Sequence, residues 1–167
     1  MPSRLQITPL LPHHLDDLAL AIRKPEVYEF IEREVPSHER FCDGLARALA
    51  GPQQPGEVWL NHLVRLADTG RVIGRLEATL HHGIAEVAFL FDPAVWGQGY
   101  ATEGLCWLHE RLMNEEAAPS AFWATTVPQN LRCQALLERC GYQRTAQDWP
   151  LPLLSYDEGD LVYRRGV

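Results

Sequence analysis

The stretch from Glu86 to Gly104 constrains the fold of this chain more than any other part of the sequence. An apolar run, Val87 to Phe91, ends at Asp92-Pro93, and Gly97-Gln98-Gly99 then leads into a segment with helical spacing. Glycines on both sides of one residue allow positive φ, so successive N–H groups can converge on one point. The following helix adds unpaired N–H groups and a partial positive charge. The sequence therefore predicts a strand, a glycine loop and a helix that together bind an anion, most simply a phosphate.

Two common phosphate-binding motifs do not fit this stretch. A P-loop requires Gly-x-x-x-x-Gly-Lys-Ser/Thr, and no lysine follows these glycines. A dinucleotide-binding fingerprint requires a third small residue where Thr102 stands, and an acidic residue about 20 positions further on. The chain has Ala117-Ala118-Pro119-Ser120 in that region. Both motifs are therefore set aside.

The residues of the loop resemble a third phosphate-binding motif. Trp96 to Glu103, with the sequence Trp-Gly-Gln-Gly-Tyr-Ala-Thr-Glu, is similar to the acetyl-CoA pyrophosphate loop of the GNAT N-acetyltransferases, Gln/Arg-x-x-Gly-x-Gly/Ala. Gly99 and Ala101 occupy its fixed small positions. Trp96 replaces the usual Gln or Arg, a departure that resembles the branch acetylating the N-termini of ribosomal proteins.

A second element of the same family follows in the same order and at the same spacing. Asn130-Leu131-Arg132-Cys133 and Glu138-Arg139-Cys140-Gly141-Tyr142 resemble the family's Asn-x-x-Ser/Ala and Glu-Lys-x-Gly-Phe. The resemblance spans Val72 to Arg144. It implies an α+β fold with a mixed, mostly antiparallel central sheet flanked by helices. Two splayed parallel strands would hold the acyl-pantetheine arm between them.

The periodicity of the chain agrees with this fold. Alternating residues from Val58 to Leu66 and runs from Val72 to Leu80 and from Ala85 to Phe91 predict a three-stranded antiparallel meander. Helices are predicted to begin at Pro12, after the N-cap Ser37, near Gly99 and after the N-cap Asn130. One or two further helical turns are predicted after Pro25. Strands are predicted at Arg4 to Pro9, at Phe122 to Val127, from Tyr142, and from Gly159 to Arg165. The order is that of one domain covering residues 1–167 around one sheet.

Composition excludes several classes of protein. The net charge of −7 argues against non-specific nucleic-acid binding, and no apolar run is long enough to span a membrane. The N-terminal residues lack an apolar signal core, so we expect a cytoplasmic protein with reduced cysteines. No Cys-x-x-Cys or His-x-x-x-His spacing occurs, and the adjacent His81 and His82 are expected to point apart. We therefore expect no metal.

The resemblance implies a reaction and a set of cofactor-binding residues. The expected reaction moves acetyl from the co-substrate acetyl-CoA to a primary amine by direct transfer in a ternary complex. The loop N–H groups would bind the pyrophosphate, Asn130 the pantetheine arm, and backbone N–H groups near Phe89 and Leu90 the thioester carbonyl. Arg132 is a further candidate for the cofactor phosphates. The cofactor-binding residues expected are Phe89, Leu90, Phe91, Gly97, Gln98, Gly99, Tyr100, Ala101, Thr102 and Asn130.

Acyl transfer to an amine also needs a base for the amine and a proton for the leaving thiolate. Glu86, at the start of the strand that enters the loop, is the expected base, with Glu77 on the neighbouring strand as the reserve. The family often places an acidic tyrosine where this chain has Leu137. Cys133, in the position of a serine in the ribosomal branch, is the expected acid, and water is the alternative.

The sequence leaves the acceptor open. Protein N-termini, polyamines or amino acids, and aminoglycosides are all compatible with it, and the negative net charge favours a cationic amine. A homodimer is allowed but not specified. The rival function is a non-catalytic acyl-CoA-binding sensor or regulatory module, which the leucine at position 137 keeps open.

Overall fold

A computed structural model describes residues 2–32, 34–145 and 152–167 of the chain. One seven-stranded sheet has the strand order β1-β2-β3-β4-β5-β7-β6. The only parallel neighbours among these strands are β4 and β5, and the other pairs are antiparallel. This arrangement confirms the predicted α+β fold. The strands are β1 Leu5–Pro9, β2 Val58–Leu66, β3 Val72–His81, β4 Ile84–Phe91, β5 Ala121–Thr126, β6 Gln143–Arg144 and β7 Leu161–Gly166.

Helices cover both faces of the sheet, and their ends follow from local chemistry. The Ser37 hydroxyl accepts a hydrogen bond from the Arg40 N–H, and the Asn130 side chain accepts one from the Cys133 N–H, so both predicted N-caps are present. Gly141, with φ of +85°, follows the last helix in the left-handed conformation. The helices are α1 Leu15–Ile22, α2 Pro25–Tyr28, α3 His38–Ala50, α4 Tyr100–Met113 and α5 Leu131–Arg139.

The two larger apolar clusters lie on opposite faces of the sheet. On one face, α4 and α5 pack on the sheet through fully buried residues such as Leu76, Leu105 and Leu137. On the other face, α1 packs on β3 and α3 packs on β2, and both helices join a cluster that includes Leu18 and Leu63. Because strand side chains alternate between faces, β2, β3 and β4 each contribute to both clusters.

The strands β4 and β5 separate soon after they meet. They pair only at Ala85 with Phe122 and at Glu86 with Trp123. From Val87 onwards β4 therefore has an edge without a strand partner on the β5 side, which confirms the predicted splay of two parallel strands. The glycine loop follows the open end of β4.

The final strands differ from the prediction at their start. Tyr142 is a buried core residue whose hydroxyl lies 2.7 Å from Nε2 of His109, and β6 itself has only two residues. The sixth and seventh strands, β6 and β7, pair in the predicted antiparallel sense.

Among the described helices, none has the length and apolar character needed to cross a bilayer.

Candidate functional site

The glycine loop has the backbone conformation that its sequence predicts. Gly97 and Gly99 have φ values of +75° and +84°, which side chains disfavour. Gly99 is the N-cap of α4, and its carbonyl accepts the first helical hydrogen bond, from the Glu103 N–H. Within the described chain, the N–H groups of Tyr100, Ala101 and Thr102 have no backbone acceptor. They are therefore free to bind an anion at the positive end of α4.

Arg4, at the edge of β1, holds this loop in place. Its guanidinium donates to the Gln98 carbonyl at 3.0 Å and to Oε2 of Glu103 at 2.9 Å, and it lies 4.4 Å from the centre of the Tyr100 ring. The Arg4 N–H also donates to Glu103. Burial tends to raise the pKa of the Glu103 carboxyl, but the hydrogen bonds from Arg4 outweigh it and lower the pKa. No motif in the sequence pointed to this arginine.

Trp96 explains why a tryptophan can replace the usual Gln or Arg. Its indole N–H donates to the Phe91 carbonyl at 2.9 Å and so ties the loop to the end of β4. The Arg132 guanidinium lies 3.7 Å from the centre of the indole ring, close enough for a cation–π interaction. Trp96 itself carries no charge, but its ring holds the Arg132 guanidinium beside the loop.

A cavity of about 370 Å³ joins the loop to the splay. The cavity is lined by all of the predicted cofactor-binding residues except Gln98, and also by Cys133. The Gln98 side chain instead donates to the Ala94 carbonyl outside the cavity. The other walls of the cavity, which no sequence motif identifies, include Glu26, Val27, Phe30, Val95, Leu136 and Arg139. A local motif could not reveal them, because α2 and the end of α5 approach the loop only in the fold.

The open edge of β4 directs backbone N–H groups towards the splay. The Asp92 N–H donates to the Ile73 carbonyl, so it points towards β3. N–H directions alternate along a strand, and the β3–β4 register has no shift. Leu90 therefore also faces β3, whereas the N–H groups of Phe89 and Phe91 face the open side. This refines the expectation that placed the thioester contact near Phe89 and Leu90.

Asn130 and Cys133 lie together at the start of α5. The side-chain oxygen of Asn130 accepts the Cys133 N–H at 3.1 Å, which fixes the first turn of the helix. Cys133 lines the cavity and is half-buried. Burial raises the pKa of its thiol, and a hydrogen bond with Thr126 only partly offsets this. The thiol therefore keeps its proton at neutral pH. Leu137 is fully buried in the core.

Glu86 lies outside the cavity lining and is almost completely buried, with 4% of its surface exposed. Its Oε1 accepts hydrogen bonds from the Ser155 N–H and hydroxyl, at 2.9 and 2.6 Å. Its Oε2 accepts the Leu154 N–H at 2.8 Å and lies 2.5 Å from Nε2 of His81. Burial alone would raise the pKa of this carboxyl, but the hydrogen bonds, led by that of Ser155, lower it. Both oxygens are thus fully used.

Ser155 connects Glu86 to the open face of the splay. It is exposed, and its carbonyl and hydroxyl oxygens lie 2.8 and 3.2 Å from Oγ1 of Thr125 on β5. Thr125 lies two residues beyond Trp123, the last residue of β5 that pairs with β4, and its side chain shares the face of Trp123, opposite α4 and α5. No motif near Ser155 identified this residue, because its partners are 30 and 69 residues away.

The histidine pair of the β3–β4 turn does not have the expected geometry. The rings of His81 and His82 meet, with their Nδ1 atoms 3.0 Å apart. His82 and Gly83 both have positive φ, as a two-residue hairpin loop of type I′ requires. This turn brings the exposed His82 ring over the buried His81, so the expectation that the side chains point apart was wrong.

Glu77, the reserve candidate for the base, forms an ion pair with Arg75 on the same strand. Its cross-strand partner Ala88 is exposed on the open face. Glu77 is therefore near the splay but already paired with a cation.

Comparisons with known proteins agree with this geometry. A model of the acetyltransferase (GNAT) domain matches residues 4–143. A comparison with curated protein sequences found no significant match. An acetyltransferase structure from Agrobacterium tumefaciens is 25% identical, with a TM-score of 0.71 over 99% of this chain and 92% of that one.

Two further solved structures share the fold and contain the expected cofactor. The aminoglycoside acetyltransferase AAC(6')-Ib, in complex with ribostamycin and coenzyme A, is 18% identical, with a TM-score of 0.76 over 98% of this chain and 94% of that one. The microcin C7 self-immunity acetyltransferase MccE, in complex with acetyl-CoA and AMP, is 13% identical, with a TM-score of 0.76 over 99% and 94%. These neighbours agree with acetyl-CoA as the co-substrate. The family model covers most of the sequence, and the chain therefore belongs to the GNAT acetyltransferase family.

Proposed function

We propose that this protein transfers acetyl from acetyl-CoA directly to a primary amine, and that it resembles the branch acting on ribosomal-protein N-termini. The observation that carries the proposal is the cavity at the splay. It joins the free N–H groups at the start of α4 to the open edge of β4 and to the protonated thiol of Cys133. These are the parts that acetyl transfer requires, arranged along one continuous space.

The pyrophosphate would bind at the glycine loop. Tyr100, Ala101 and Thr102 offer their N–H groups there, and Gly97 and Gly99 keep side chains out of the approach. Gln98 contributes only through its backbone, since its side chain is turned away from the cavity. Arg132, held over the Trp96 ring, adds a positive charge beside the phosphates.

The acetyl group would lie against the open edge of β4. The N–H groups of Phe89 and Phe91 point there and can donate to the thioester oxygen, where negative charge develops in the tetrahedral intermediate. The amide N–H₂ of Asn130 can donate to the pantetheine arm while the amide oxygen caps α5. As the carbon–sulfur bond breaks, the thiol of Cys133 gives its proton to the leaving thiolate.

Glu86 would act on the amine through Ser155 and not by direct contact. The Ser155 hydroxyl donates its proton to Glu86 and lies within reach of the Thr125 hydroxyl, which leaves one lone pair to accept an amine N–H. Because the pKa of Glu86 is lowered, the carboxylate is a weak base. We therefore expect its main contribution to be the orientation of the amine, with proton transfer through Ser155 as the smaller part.

The rival proposal is an acyl-CoA-binding module that does not catalyse transfer. It draws support from the fully buried Leu137 in the place of the family tyrosine. Measuring thiol release from acetyl-CoA against N-terminal peptides, polyamines and aminoglycosides separates the two. Release that requires one class of amine supports transfer and identifies the acceptor, whereas binding of acetyl-CoA without release on any amine supports the module.

A further inference from the structure

Three metal-ligating side chains meet on the surface where α1 packs beside α3. Asp16 lies in the first turn of α1, His38 is the first residue of α3, and Cys42 follows one turn later. Residues four apart share one face of a helix, so His38 and Cys42 present their side chains together. None of the three lines the cavity at the splay.

The ligand atoms are nearly in the positions that a tetrahedral metal requires. Nε2 of His38 lies 2.9 Å from Oδ1 of Asp16 and 3.8 Å from Sγ of Cys42, and one ligand atom from each residue fits within 4.8 Å. Ordinary zinc bond lengths of about 2.0 to 2.3 Å place neighbouring ligand atoms about 3.4 to 3.6 Å apart. Side-chain shifts of about one ångström would therefore bring the three ligand atoms within bonding distance of one ion. His38 and Asp16 are exposed, so their side chains can make such shifts.

The chemistry of the donors selects the kind of metal. A thiolate, an imidazole and a carboxylate together favour Zn²⁺ and similar transition metals, whereas Mg²⁺ and Ca²⁺ favour oxygen ligands alone. Three protein ligands leave a fourth position for water or another ligand. These three residues match neither Cys-x-x-Cys nor His-x-x-x-His, the two metal-binding spacings considered in the sequence. They combine His38-x-x-x-Cys42 on α3 with Asp16 on α1.

The surrounding charge suits a dication. Two carboxylates lie at this place, since Asp16 is one of the three residues and Asp43 follows Cys42 on α3. A bound dication would neutralise their negative charge and displace the thiol proton of Cys42. The His38 imidazole lies beside the Asp16 carboxylate, so these two ligand atoms already face each other.

We propose that Asp16, His38 and Cys42 form a zinc-type metal site that joins α1 to α3. The two helices pack on the apolar cluster that also contains Leu90 and Trp96, two residues of the cavity wall. A metal at this position would therefore stabilise the layer beside the cavity without taking part in the reaction. The proposal does not depend on the proposed function.

The test is a titration of the reduced full-length chain with Co²⁺, which reports thiolate ligation through a near-ultraviolet charge-transfer band. We expect one band that Zn²⁺ abolishes by competition. Cys42→Ser should remove the band, and His38→Ala should weaken Co²⁺ binding at least about tenfold, the scale of losses seen when metal sites lose supporting groups. The matched control is Cys106→Ser, which changes an exposed cysteine on α4 and should leave the band unchanged.

A second readout does not depend on the colour of the complex. Zn²⁺ should raise the thermal midpoint of the wild-type chain and have no effect on Cys42→Ser, because a ligand stabilises only the state that binds it. Circular dichroism before the titration establishes that each variant is folded. Absence of the charge-transfer band in the wild type would overturn the proposal. So would a band that survives Cys42→Ser and disappears in Cys106→Ser.

Discussion

Two buried carboxylates near opposite ends of β4 show how similar burial can serve different purposes. Glu86 is 4% exposed and Asp92 is 3% exposed, and the pKa of each is lowered although burial alone would raise it. Asp92 is bound by two cations, Lys24 at 2.6 Å and Arg71 at 2.7 Å. Glu86 is bound by the neutral donors of residues 154 and 155 and by His81.

We propose that the difference separates a structural anchor, Asp92, from a carboxylate that supports the reaction, Glu86. Asp92 lies between β4 and the glycine loop, and it binds Lys24 at the start of α2 and Arg71 in the β2–β3 turn. It also accepts a hydrogen bond from the Ala94 N–H. Its two side-chain partners are the cations Lys24 and Arg71. Glu86 connects to Ser155, an exposed hydroxyl at the open face of the splay. Under the proposed function, this hydroxyl would connect Glu86 to the bound amine.

The largest effect is expected at the anchor. Asp92→Ala leaves Lys24 and Arg71 without their shared partner and removes the hydrogen bond to Ala94. Both cations are partly exposed, so we expect a loss of about 2 to 3 kcal/mol, at or below the low end for a broken buried ion pair. Urea unfolding measures it, with exposed Asp68→Ala as the control. A change below about 0.5 kcal/mol would contradict the anchor role.

The functional carboxylate should show its main effect in turnover. Glu86→Gln keeps the size of the side chain but replaces its charge-assisted hydrogen bonds, which are worth about 1.5 to 3 kcal/mol. We expect turnover to fall about tenfold to a hundredfold while the affinity for acetyl-CoA stays near that of the wild type. Thiol-release kinetics and calorimetry provide the two values. Glu110→Gln on the exposed face of α4 is the control, and an unchanged rate would remove Glu86 from the mechanism.

Lowering the pH should reduce the free energy of unfolding that Glu86 and Asp92 contribute, over a defined pH range. Each carboxyl has a folded pKa below its ordinary value of 4.5 or 3.8, so the unfolded chain binds protons first as the pH falls. The stabilisation is therefore complete above those ordinary values and is lost as the pH falls through the lowered ones. The slope is at most about 1.4 kcal/mol per pH unit for each group. Urea unfolding between pH 6 and pH 2 checks this, and Asp92→Asn should flatten the curve.

The smallest effect is expected at the proposed acid. Cys133→Ala should lower turnover about tenfold, less than usual for acid catalysis because water can replace the thiol. Cys133→Ser should retain more activity, since a hydroxyl can still donate. Equal rates for the two variants would identify a packing role instead, and Cys106→Ala on the surface of α4 is the control.

The sequence predicted the parts of the fold that depend on local chemistry. Strand alternation, the caps at Ser37 and Asn130, and the left-handed glycines of the loop are each written within a few neighbouring residues. The family resemblance predicted the cofactor side of the splay, and this assignment stays a prediction, although all of the expected residues except Gln98 line the cavity. These residues lie in two short segments, from Phe89 to Thr102 and from Asn130 to Cys133.

The parts that the sequence did not reveal are contacts between distant residues. Arg4 and Glu103 are 99 positions apart, Lys24 and Asp92 are 68 apart, and Glu86 and Ser155 are 69 apart. No local pattern specifies which donor a buried carboxylate will find, since that depends on how the sheet brings the segments together. The meeting of His81 and His82 has the same origin, because it depends on the type of turn and not on the residue order.

The most direct test of the central claim is calorimetric titration with acetyl-CoA of the wild type, Gly99→Glu and Gly56→Glu. Both glycines have positive φ, +84° and +88°, so both substitutions carry similar backbone strain. Only Gly99 lines the cavity, where a glutamate would place a side chain and a negative charge in the proposed phosphate site. We predict binding by the wild type and by Gly56→Glu, and loss of binding in Gly99→Glu. Unchanged affinity in Gly99→Glu would contradict the assignment of the glycine loop.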